Sequence, residues 1–347
     1  MEAQKGLVKL SACPNCEQIA IQPSFSMKSA ISVNDKIMLR KLSIEQVEST
    51  WELCNNCGLL FLNPRFDHIT GDRLYGEEDI YRSADIEAFG SFEALAAFID
   101  PTLNIISLDP TKTRHAKNLN FVVKTTGLKP ENTILLDIGS GWGAAAPAAD
   151  VLGFQYFGFD SSASCLRLAH DVGRNVSDED LSQRDLPHDR TVLIYMSQVL
   201  EHIPNPGPWL KSIVEMVQVR RVELSWQEIY IHVDVPTWDI FSSSSLYNPH
   251  RPMDCANWGH YNHFDRVSLR NTFLLARIRP VHSKLSGGDV SGVGEIEFLE
   301  NIQFPTLQSR SPGKIKAAVL AGNGVASIVD PLRSRAVKAA KFVLRRS

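Results

Sequence analysis

The sequence predicts an α/β chain in which a doubly wound, mostly parallel sheet follows a small cysteine-rich module. A glycine-rich turn at Leu136 to Gly143 and a short apolar stretch ending in Asp160 predict the sheet. Two pairs of cysteines, each spaced Cys-x-x-Cys, predict the module. At 347 residues the chain is long enough for one large domain and a smaller one.

The segment LDIGSGWG, Leu136 to Gly143, predicts the end of a strand, a tight turn and the start of a helix. Thr133 to Leu136 is rich in β-branched residues and leucine, and Ala144 to Ala149 is rich in alanine. The three glycines permit positive φ and let a ligand approach bare backbone. The first amides of the helix carry partial positive charge toward the turn. A purely structural glycine turn is the alternative.

Two acids favour a nucleoside ligand over a structural turn. Asp137 lies two residues before the first glycine, and Asp160 ends the second strand, Tyr156 to Phe159. An acid at the tip of the second strand is placed to accept hydrogen bonds from both ribose hydroxyls. The dinucleotide fingerprint has another glycine spacing, G-x-G-x-x-G. The residues alone leave S-adenosylmethionine and NAD open as cofactors.

The region from Glu131 to Pro280 resembles the class I S-adenosylmethionine-dependent methyltransferases. LDIGSGWG is similar to their cofactor loop, FGFDSS to their ribose-binding strand end, and IYMSQVLEHIPNP to their fourth strand and the loop behind it. The resemblance implies a Rossmann-like seven-stranded sheet. It implies that Asp137 lies near the methionine ammonium, that Asp160 holds the ribose and that Asp185 meets the adenine amine. The implied cofactor-binding residues are Asp137, Gly139, Ser140, Gly141, Gly143, Asp160, Ser161 and Asp185.

The two Cys-x-x-Cys pairs predict a closed metal site. Each pair, Cys13 with Cys16 and Cys54 with Cys57, puts two thiolates on one tight turn, and two such turns complete a tetrahedral site of four sulfurs. Residues 36–39 and 46–53 alternate like the strands of a zinc ribbon. We therefore expect a structural Zn²⁺, with a redox Cys-x-x-Cys as the alternative. Cys165 and Cys255 have no partner at ligand spacing, and Cys165 is expected to be a buried helix residue.

The segment after the second pair, Cys57 to Arg82, resembles the zinc-binding front end of a subgroup of bacterial methyltransferases. Members of that subgroup act on sugars, glycan precursors or secondary metabolites. The stretch from Ser83 to Lys129 is read as helical, with apolar pieces at residues 95–99 and 119–123. The predicted organisation is a zinc-ribbon-like domain at 1–75, a helical connector at 76–130, the methyltransferase domain at 131–305 and a basic C-terminal tail at 306–347.

Three further elements complete the predicted sheet domain. Pro208 to Val219 predicts a helix with a proline in its first turn, and Glu228 to Val235 predicts the fifth strand. Glu295 to Ile302 is assigned as the last strand of the terminal hairpin. Before the fifth strand the family usually has a proline–glycine–glycine turn, and this chain has residues 220–226, RRVELSW, instead.

The predicted catalytic residues follow the fourth strand. Glu201 and His202 lie where the donor's sulfonium is expected, and His263 belongs to a later segment that also carries His260. Methyl transfer to a hydroxyl needs a base to take the proton, and a histidine suits that role. The alternative is that the Glu-His pair caps the next loop and that the later histidines are hydrogen-bonded loop residues.

A catalytic metal is a second expectation for the same residues. Some methyltransferase branches carry E-x-x-E-H after the fourth strand, and the small-RNA branch adds a later histidine and a metal that holds the acceptor hydroxyls. This chain keeps Glu201 and His202, with His260 or His263 as a late ligand, but has Gln198 at the first acidic position. A neutral amide is a weaker ligand for a hard cation. The sequence leaves a Mg²⁺ ion open here.

Charge and loop composition bear on the partners. The loop Pro236 to Trp258, with Trp238, Tyr247 and four consecutive serines, is expected to cover the acceptor. The tail holds nine Lys/Arg against one acid, and a basic helix from Asp330 to Arg346 is compatible with peripheral membrane contact. Residues 1–75 balance basic and acidic side chains, which argues against nucleic acid as a partner. The chain lacks a long apolar run and a signal pattern, so a cytoplasmic location is expected.

These features together predict an S-adenosylmethionine-dependent methyltransferase acting on an oxygen of a sugar, a glycan precursor or another small metabolite. One alternative is an RNA methyltransferase that holds RNA with the zinc ribbon. The other is a catalytically silent cofactor-binding partner protein. The sequence names neither the acceptor nor the oligomeric state.

Overall fold

The computed structural model of the chain describes residues 6–19, 21–26, 33–44, 50–76, 78–100, 109–237, 259–286, 289–297 and 307. Nearly all of the predicted acceptor loop lies outside these ranges, with Trp238, Tyr247, Trp258 and the serine run. Cys255 and the predicted basic helix from Asp330 to Arg346 also lie outside them.

The described residues form thirteen strands and nine α-helices. The strands are β1 Leu7–Val8, β2 Ile21–Ser26, β3 Thr50–Cys54, β4 Leu60–Leu62, β5 Arg65–Phe66, β6 Thr133–Ile138, β7 Gln155–Phe159, β8 Val176–Ser177, β9 Thr191–Ser197, β10 Ile229–Pro236, β11 Asn262–His263, β12 Arg279–Ser286 and β13 Asp289–Glu295. The helices are α1 Val33–Leu42, α2 His68–Tyr75, α3 Ile80–Phe89, α4 Phe92–Ile99, α5 Arg114–Thr126, α6 Ala146–Leu152, α7 Ala163–Asp171, α8 Pro206–Glu223 and α9 Arg266–Leu275.

A seven-stranded sheet forms the large domain. Its strand order is β12-β13-β10-β9-β6-β7-β8, in which β8, β7, β6, β9 and β10 run parallel and the β12–β13 hairpin is antiparallel. The order reverses between β6 and β9, so the carboxyl ends of these strands open a crevice at a topological switch point. The predicted α/β doubly wound Rossmann-like fold is confirmed, as are the predicted strand at 133–136, the fifth strand and the helix at 208–219.

The last strand of the sheet is β13, Asp289–Glu295, and the assignment of Glu295 to Ile302 as that strand is wrong. Its residues, DVSGVGE, carry little of the apolar signal of a buried strand because two positions must be glycine. A Cβ at Gly294 would lie 2.3 Å from Ile278 Cγ2, and one at Gly292 would lie 3.0 Å from Leu269 Cδ2. The backbone of β13 packs so closely on helix α9 and on Ile278 after it that these two positions have no room for a side chain.

The N-terminal module is built on a four-stranded antiparallel sheet of order β11-β4-β3-β2. The expectation of a strand at residues 36–39 is wrong, because they belong to helix α1. The helix has an acid, Asp35, in its first turn and two bases, Arg40 and Lys41, in its last turn, which is the charge order that the helix dipole favours. This charge order favours a helix over a strand for a short apolar run that fits either. The predicted strand at 46–53 begins at Thr50 among the described residues.

Strand β11 lies about two hundred residues after β4 in the sequence and completes the sheet of the N-terminal module. Asn262 pairs with Phe61 and His263 pairs with Leu60. The predicted division at residues 75, 130 and 305 stays a prediction, and this pairing joins the first segment to the third.

The connector is helical where the apolar pieces predicted helices, in α4 and α5. Ser91 and Thr113 cap these helices by accepting hydrogen bonds from Ala94 N and Ala116 N. Across the described ranges, no helix combines the length and apolarity that crossing a membrane requires.

Candidate methyl-donor and acceptor site

The glycine turn after β6 has the backbone that its sequence predicts. Gly139, Gly141 and Gly143 have φ of 69°, 57° and 75°, in the left-handed region that favours glycine. The amides of Gly139 and Ser140 donate to the carbonyl of Phe159, at 2.8 and 3.1 Å. A Cβ on Gly139 would lie 2.7 Å from Val199 Cγ2, so this turn also passes tightly over the loop after β9.

Asp160 ties the glycine turn to the end of β7. Its two carboxylate oxygens accept hydrogen bonds from Gly141 N at 2.7 Å and from Ser162 N at 2.9 Å. Burial raises the pKa of Asp160, and the two backbone hydrogen bonds lower it in part. Ser161 beside it is exposed. The Asp160 carboxylate is thus held in a fixed orientation at the end of β7, and its remaining lone pairs can accept further hydrogen bonds.

Asp137 is buried under the same turn and does not line the cavity. Tyr156 Oη donates to Asp137 Oδ2 at 2.7 Å, and the side chain of Asp137 is 3% exposed. Burial raises the pKa of Asp137 to about 7, against the lowering effect of the Tyr156 hydrogen bond. A carboxyl poised near neutrality responds strongly to a cation placed beside it.

A cavity of about 1340 Å³ lies over the carboxyl ends of β6, β7 and β9. Gly139, Asp160 and Ser161 line it on the cofactor-loop side, and Gln198 and His202 line it beyond β9. Asp185 is exposed and is not among its lining residues. In the loop that follows β8, the acids that face the cavity are Asp178, Glu179 and Asp180.

Acidic side chains outnumber basic ones around this cavity. The lining acids are Asp67, Asp72, Glu78, Asp79, Asp160, Asp178, Glu179 and Asp180, and the lining arginines are Arg65, Arg73 and Arg82. A cleft lined by one sign of charge concentrates ligands of the opposite sign. The cavity therefore favours a cation and disfavours a polyanion.

A carboxyl and two imidazoles meet at the edge of the cavity, and of these three groups the imidazole of His202 lines it. One ligand atom of each of Glu201, His202 and His260 lies within 4.8 Å of the others. His202 Nδ1 is 2.8 Å from the carbonyl of Gly259, which only accepts, so the neutral ring carries its proton on Nδ1. His202 Nε2 keeps its lone pair and lies 3.8 Å from Glu201 Oε1.

The protonation of Glu201 and His202 is set by burial. Glu201 is 1% exposed, and neither of its oxygens has a hydrogen-bond partner from another described residue. Burial raises the pKa of Glu201 well above its ordinary value and lowers the pKa of His202 to about 4. His202 is therefore neutral at physiological pH and can accept a proton at Nε2.

His263 lies away from the cavity, in strand β11. Its ring centroid is 4.6 Å from that of Trp51 and 5.8 Å from that of His260, and it is not a lining residue. The structure brings His202 and His260 together and places His263 behind them.

The four cysteines of the N-terminal module converge as their spacing predicts. All four sulfurs lie within 4.8 Å of one another, with Cys13 and Cys57 at 3.7 Å and Cys16 and Cys54 at 3.5 Å. Tetrahedral zinc with Zn–S bonds of 2.3 Å separates its sulfurs by about 3.8 Å. The donor set and its spacing therefore fit Zn²⁺. Cys165 is buried in helix α7, as expected.

Residues 111–276 match a family model described as a methyltransferase domain. The prediction of a methyltransferase is thereby confirmed. A search of curated proteins gave no match.

Solved structures similar to this chain have low identity. An S-adenosylmethionine-dependent methyltransferase from Aquifex aeolicus is 16% identical with a TM-score of 0.36, over 55% of this chain and all of that one. Another from Mesorhizobium loti is 13% identical with a TM-score of 0.38, over 54% of this chain and all of that one. The 1,6-didemethyltoxoflavin-N1-methyltransferase of Burkholderia thailandensis is 12% identical with a TM-score of 0.40, over 72% of this chain and 97% of that one.

The methyltransferase domain contains a polar group that the sequence reasoning missed. Arg114 at the start of α5 lies 4.0 Å from Asp234 Oδ2 and 3.8 Å from Asp289 Oδ2. Ser197 and Ser291 donate to the two oxygens of Asp234, at 3.3 and 2.9 Å. Burial, with the neighbouring Asp234, raises the pKa of Asp289 to about 6. The available sequence signal for this group was Asp234, a charged residue between apolar residues near the end of strand β10.

Two tyrosines beside the methyltransferase domain were also missed as site residues. Tyr75 and Tyr81 line the cavity, with ring centroids 5.4 and 5.2 Å from that of His202. Tyr75 Oη donates to the carbonyl of Gly259 and lies 3.0 Å from His202 Nδ1. Both belong to the segment Cys57 to Arg82, whose resemblance to a methyltransferase front end was the available signal.

Replacing Cys54 with Ser is expected to abolish stoichiometric zinc. Three thiolates and a hydroxyl no longer form a closed four-sulfur site, so elemental analysis should fall from one zinc per chain to well below one. Cys165→Ser, at a buried thiol outside the cluster, should keep one zinc per chain. Equal zinc content in wild type and Cys54→Ser would refute the site.

Asp137→Asn is expected to flatten the pH dependence of stability between about pH 4 and pH 7. In this window the native carboxyl binds a proton and the unfolded one, with a pKa of about 3.9, does not. The wild type therefore loses stability as pH rises, by about 1.4 kcal/mol for each pKa unit of difference.

Urea unfolding at several pH values measures this effect. Asp171→Asn, at an exposed position, is the matched control and should follow the wild-type curve. Wild type and Asp137→Asn curves that run parallel from pH 4 to pH 7 would contradict the assignment.

Proposed function

We propose that this protein transfers a methyl group from S-adenosylmethionine to a hydroxyl oxygen of a small, uncharged or cationic acceptor, such as a sugar, a glycan precursor or another metabolite. The observation that carries the proposal is one cavity that joins Gly139 and Asp160 to His202. It connects a nucleoside-binding edge to a proton acceptor.

The donor is proposed to lie along the glycine turn. Asp160, held by Gly141 N and Ser162 N, accepts the ribose hydroxyls, and the buried carboxyl of Asp137 lies below the turn. The acidic lining adds attraction for the sulfonium cation. Asp178 to Asp180 are better placed than Asp185 for the adenine end, since they line the cavity and Asp185 does not.

The acceptor is proposed to lie against Tyr75, Tyr81 and His202. Aromatic faces suit the apolar face of a sugar ring or a planar metabolite. A nucleic acid would bring a row of phosphates to the eight acids of the cavity, and protein binding to nucleic acid rests on basic contacts with phosphate. This charge favours the small acceptor over RNA.

The reaction is an in-line displacement. A lone pair of the acceptor oxygen forms the new bond to the methyl carbon while the carbon–sulfur bond breaks and its electron pair stays on sulfur as a neutral thioether. The acceptor proton moves to His202 Nε2. His202 is held by Gly259 and Tyr75 with its Nδ1 proton engaged, so Nε2 is the atom free to accept.

Zinc is proposed at the four cysteines, where it holds the module together and takes no part in the reaction. Mg²⁺ does not fit the second cluster. It favours six oxygen ligands, and Glu201, His202 and His260 offer two imidazoles and one carboxyl. Gln198 donates its side-chain amide to the carbonyl of Asp234. No step therefore runs through Mg²⁺. A cytoplasmic location and membrane contact by the basic tail stay predictions.

Donor binding is expected to depend on Asp160 and not on Asp185. Asp160→Ala removes a charged acceptor and loosens the turn, so calorimetry should show S-adenosylmethionine affinity reduced at least about tenfold. Asp185→Ala, an acid-to-alanine change at an exposed position, should stay within about twofold. Unchanged affinity in Asp160→Ala would remove the donor site from this edge.

Methyl transfer is expected to require His202. Purified protein with methyl-labelled donor should label the small-molecule or glycan fraction of a cell extract. His202→Gln should lower the rate by roughly 10²–10⁴ while donor affinity is unchanged. His170→Gln, at a position 91% exposed, is the control and should retain full activity.

The same labelling experiment separates the alternatives. Label confined to the RNA fraction would overturn the acceptor class. Donor binding without label in any fraction would favour the silent cofactor-binding protein.

A further inference from the structure

The loop that carries Glu201 and His202 is held by residues of the N-terminal module. Arg65 at the end of that module is 5% exposed and donates to the carbonyl of Pro204 and, at 3.0 Å, to Asn205 Oδ1. Its guanidinium also lies 5.7 Å from the ring centroid of Tyr261. The planar guanidinium of Arg65 thus holds the end of the loop at Pro204 and Asn205 with hydrogen bonds from two of its nitrogens.

The near end of the loop is held by the segment that enters strand β11. Tyr261 N donates to the carbonyl of Glu201 at 2.8 Å, and Asn262 Nδ2 donates to the carbonyl of Ile203 at 2.7 Å. The carbonyl of Tyr261 accepts from Leu62 N at 2.9 Å. The carbonyls of the residues before and after His202 are therefore hydrogen-bonded to one edge of the module's sheet.

That sheet is anchored by the four-cysteine cluster. Strand β3 ends at Cys54, and β4 begins three residues after Cys57. Asn271 Nδ2 of helix α9 donates to the carbonyl of Cys57 at 2.9 Å, and Asn15 Nδ2 lies 3.0 Å from Thr272 Oγ1. The cluster thus sets the register of the two strands and their contact with the methyltransferase domain.

We propose that the four-cysteine module is part of the catalytic apparatus, in which Arg65 and the β4–β11 pairing position the imidazole of His202, and that metal at Cys13, Cys16, Cys54 and Cys57 maintains this position. Arg65 is a positioning residue. The inference rests on the proposed function for its effect on rate, and its effect on the imidazole is measurable without any acceptor.

The hydrogen bonds that hold the glycine turn are separate from this chain of contacts. The glycine turn is bonded to Phe159 and to Asp160 within the sheet domain. Disturbing the module should therefore move His202 and leave donor affinity unchanged. A general loss of folding would change both.

The test uses the full-length, metal-loaded protein and its Arg65→Met variant. Histidine ring nitrogen NMR, with the His202 signals assigned from His202→Gln, should show one Nδ1–H tautomer in the wild type and mixed tautomers in Arg65→Met. The methyl-transfer rate should fall about 10²-fold, the loss expected for displacement by about 1 Å. Donor affinity by calorimetry should stay within about twofold.

Arg40→Met is the matched control, since Arg40 is an exposed arginine of the same module that pairs with Glu87. It should match the wild type in all three measurements. Removing the metal with a chelator is the second perturbation, and it should give the same tautomer mixture with donor affinity retained.

The outcomes separate the two proposals. Unchanged His202 signals in Arg65→Met and after metal removal overturn the positioning role, even if His202→Gln is inactive. Full activity in His202→Gln defeats His202 as the base and leaves the tautomer result to decide positioning. Lost donor affinity in both perturbed proteins overturns the inference by showing that the module only supports the fold.

Discussion

The shared carboxyl edge of strands β6, β7 and β9 is the constraint on which the rest of this structure depends. Parallel strands place their last residues on one line, and the reversal of strand order between β6 and β9 opens that line into a crevice. Asp137, Asp160 and Gln198 each stand at such a strand end, far apart in sequence. The Asp160 carboxylate then fastens the glycine turn of one strand to the tip of the next.

Much of this edge was predictable because its signals are local. The glycines of LDIGSGWG need φ values that other residues avoid, and cysteine pairs two residues apart report a shared ligand turn. The terminal strand β13 was assigned to the wrong residues because Gly292 and Gly294 interrupt its apolar pattern. Glycine is needed there because Leu269 and Ile278 pack closely against the backbone. Helix α1 was mistaken for a strand because three apolar residues in a row, Ile37 to Leu39, carry no period.

Long-range pairings were not predictable from these patterns. Strand β11 is two residues long, Asn262 and His263, and nothing in it marks a partner two hundred residues earlier. The group of Arg114, Asp234 and Asp289 comes from a helix start, a strand end and a hairpin, each unremarkable alone. His263 drew attention as a histidine near others, and its place behind the cavity is fixed by that same β11 pairing.

The charge of the cavity bears on donor binding in the proposed reaction. In the proposed reaction, the acidic lining attracts the sulfonium cation of S-adenosylmethionine, and the transfer turns this sulfur into a neutral thioether. The electrostatic attraction between the lining and this sulfur is thus lost when the methyl group is transferred. In the proposed reaction the acceptor proton moves to His202 Nε2, which lies 3.8 Å from Glu201 Oε1. The same burial that makes His202 a weak base at rest therefore keeps it unprotonated and ready before the methyl group moves.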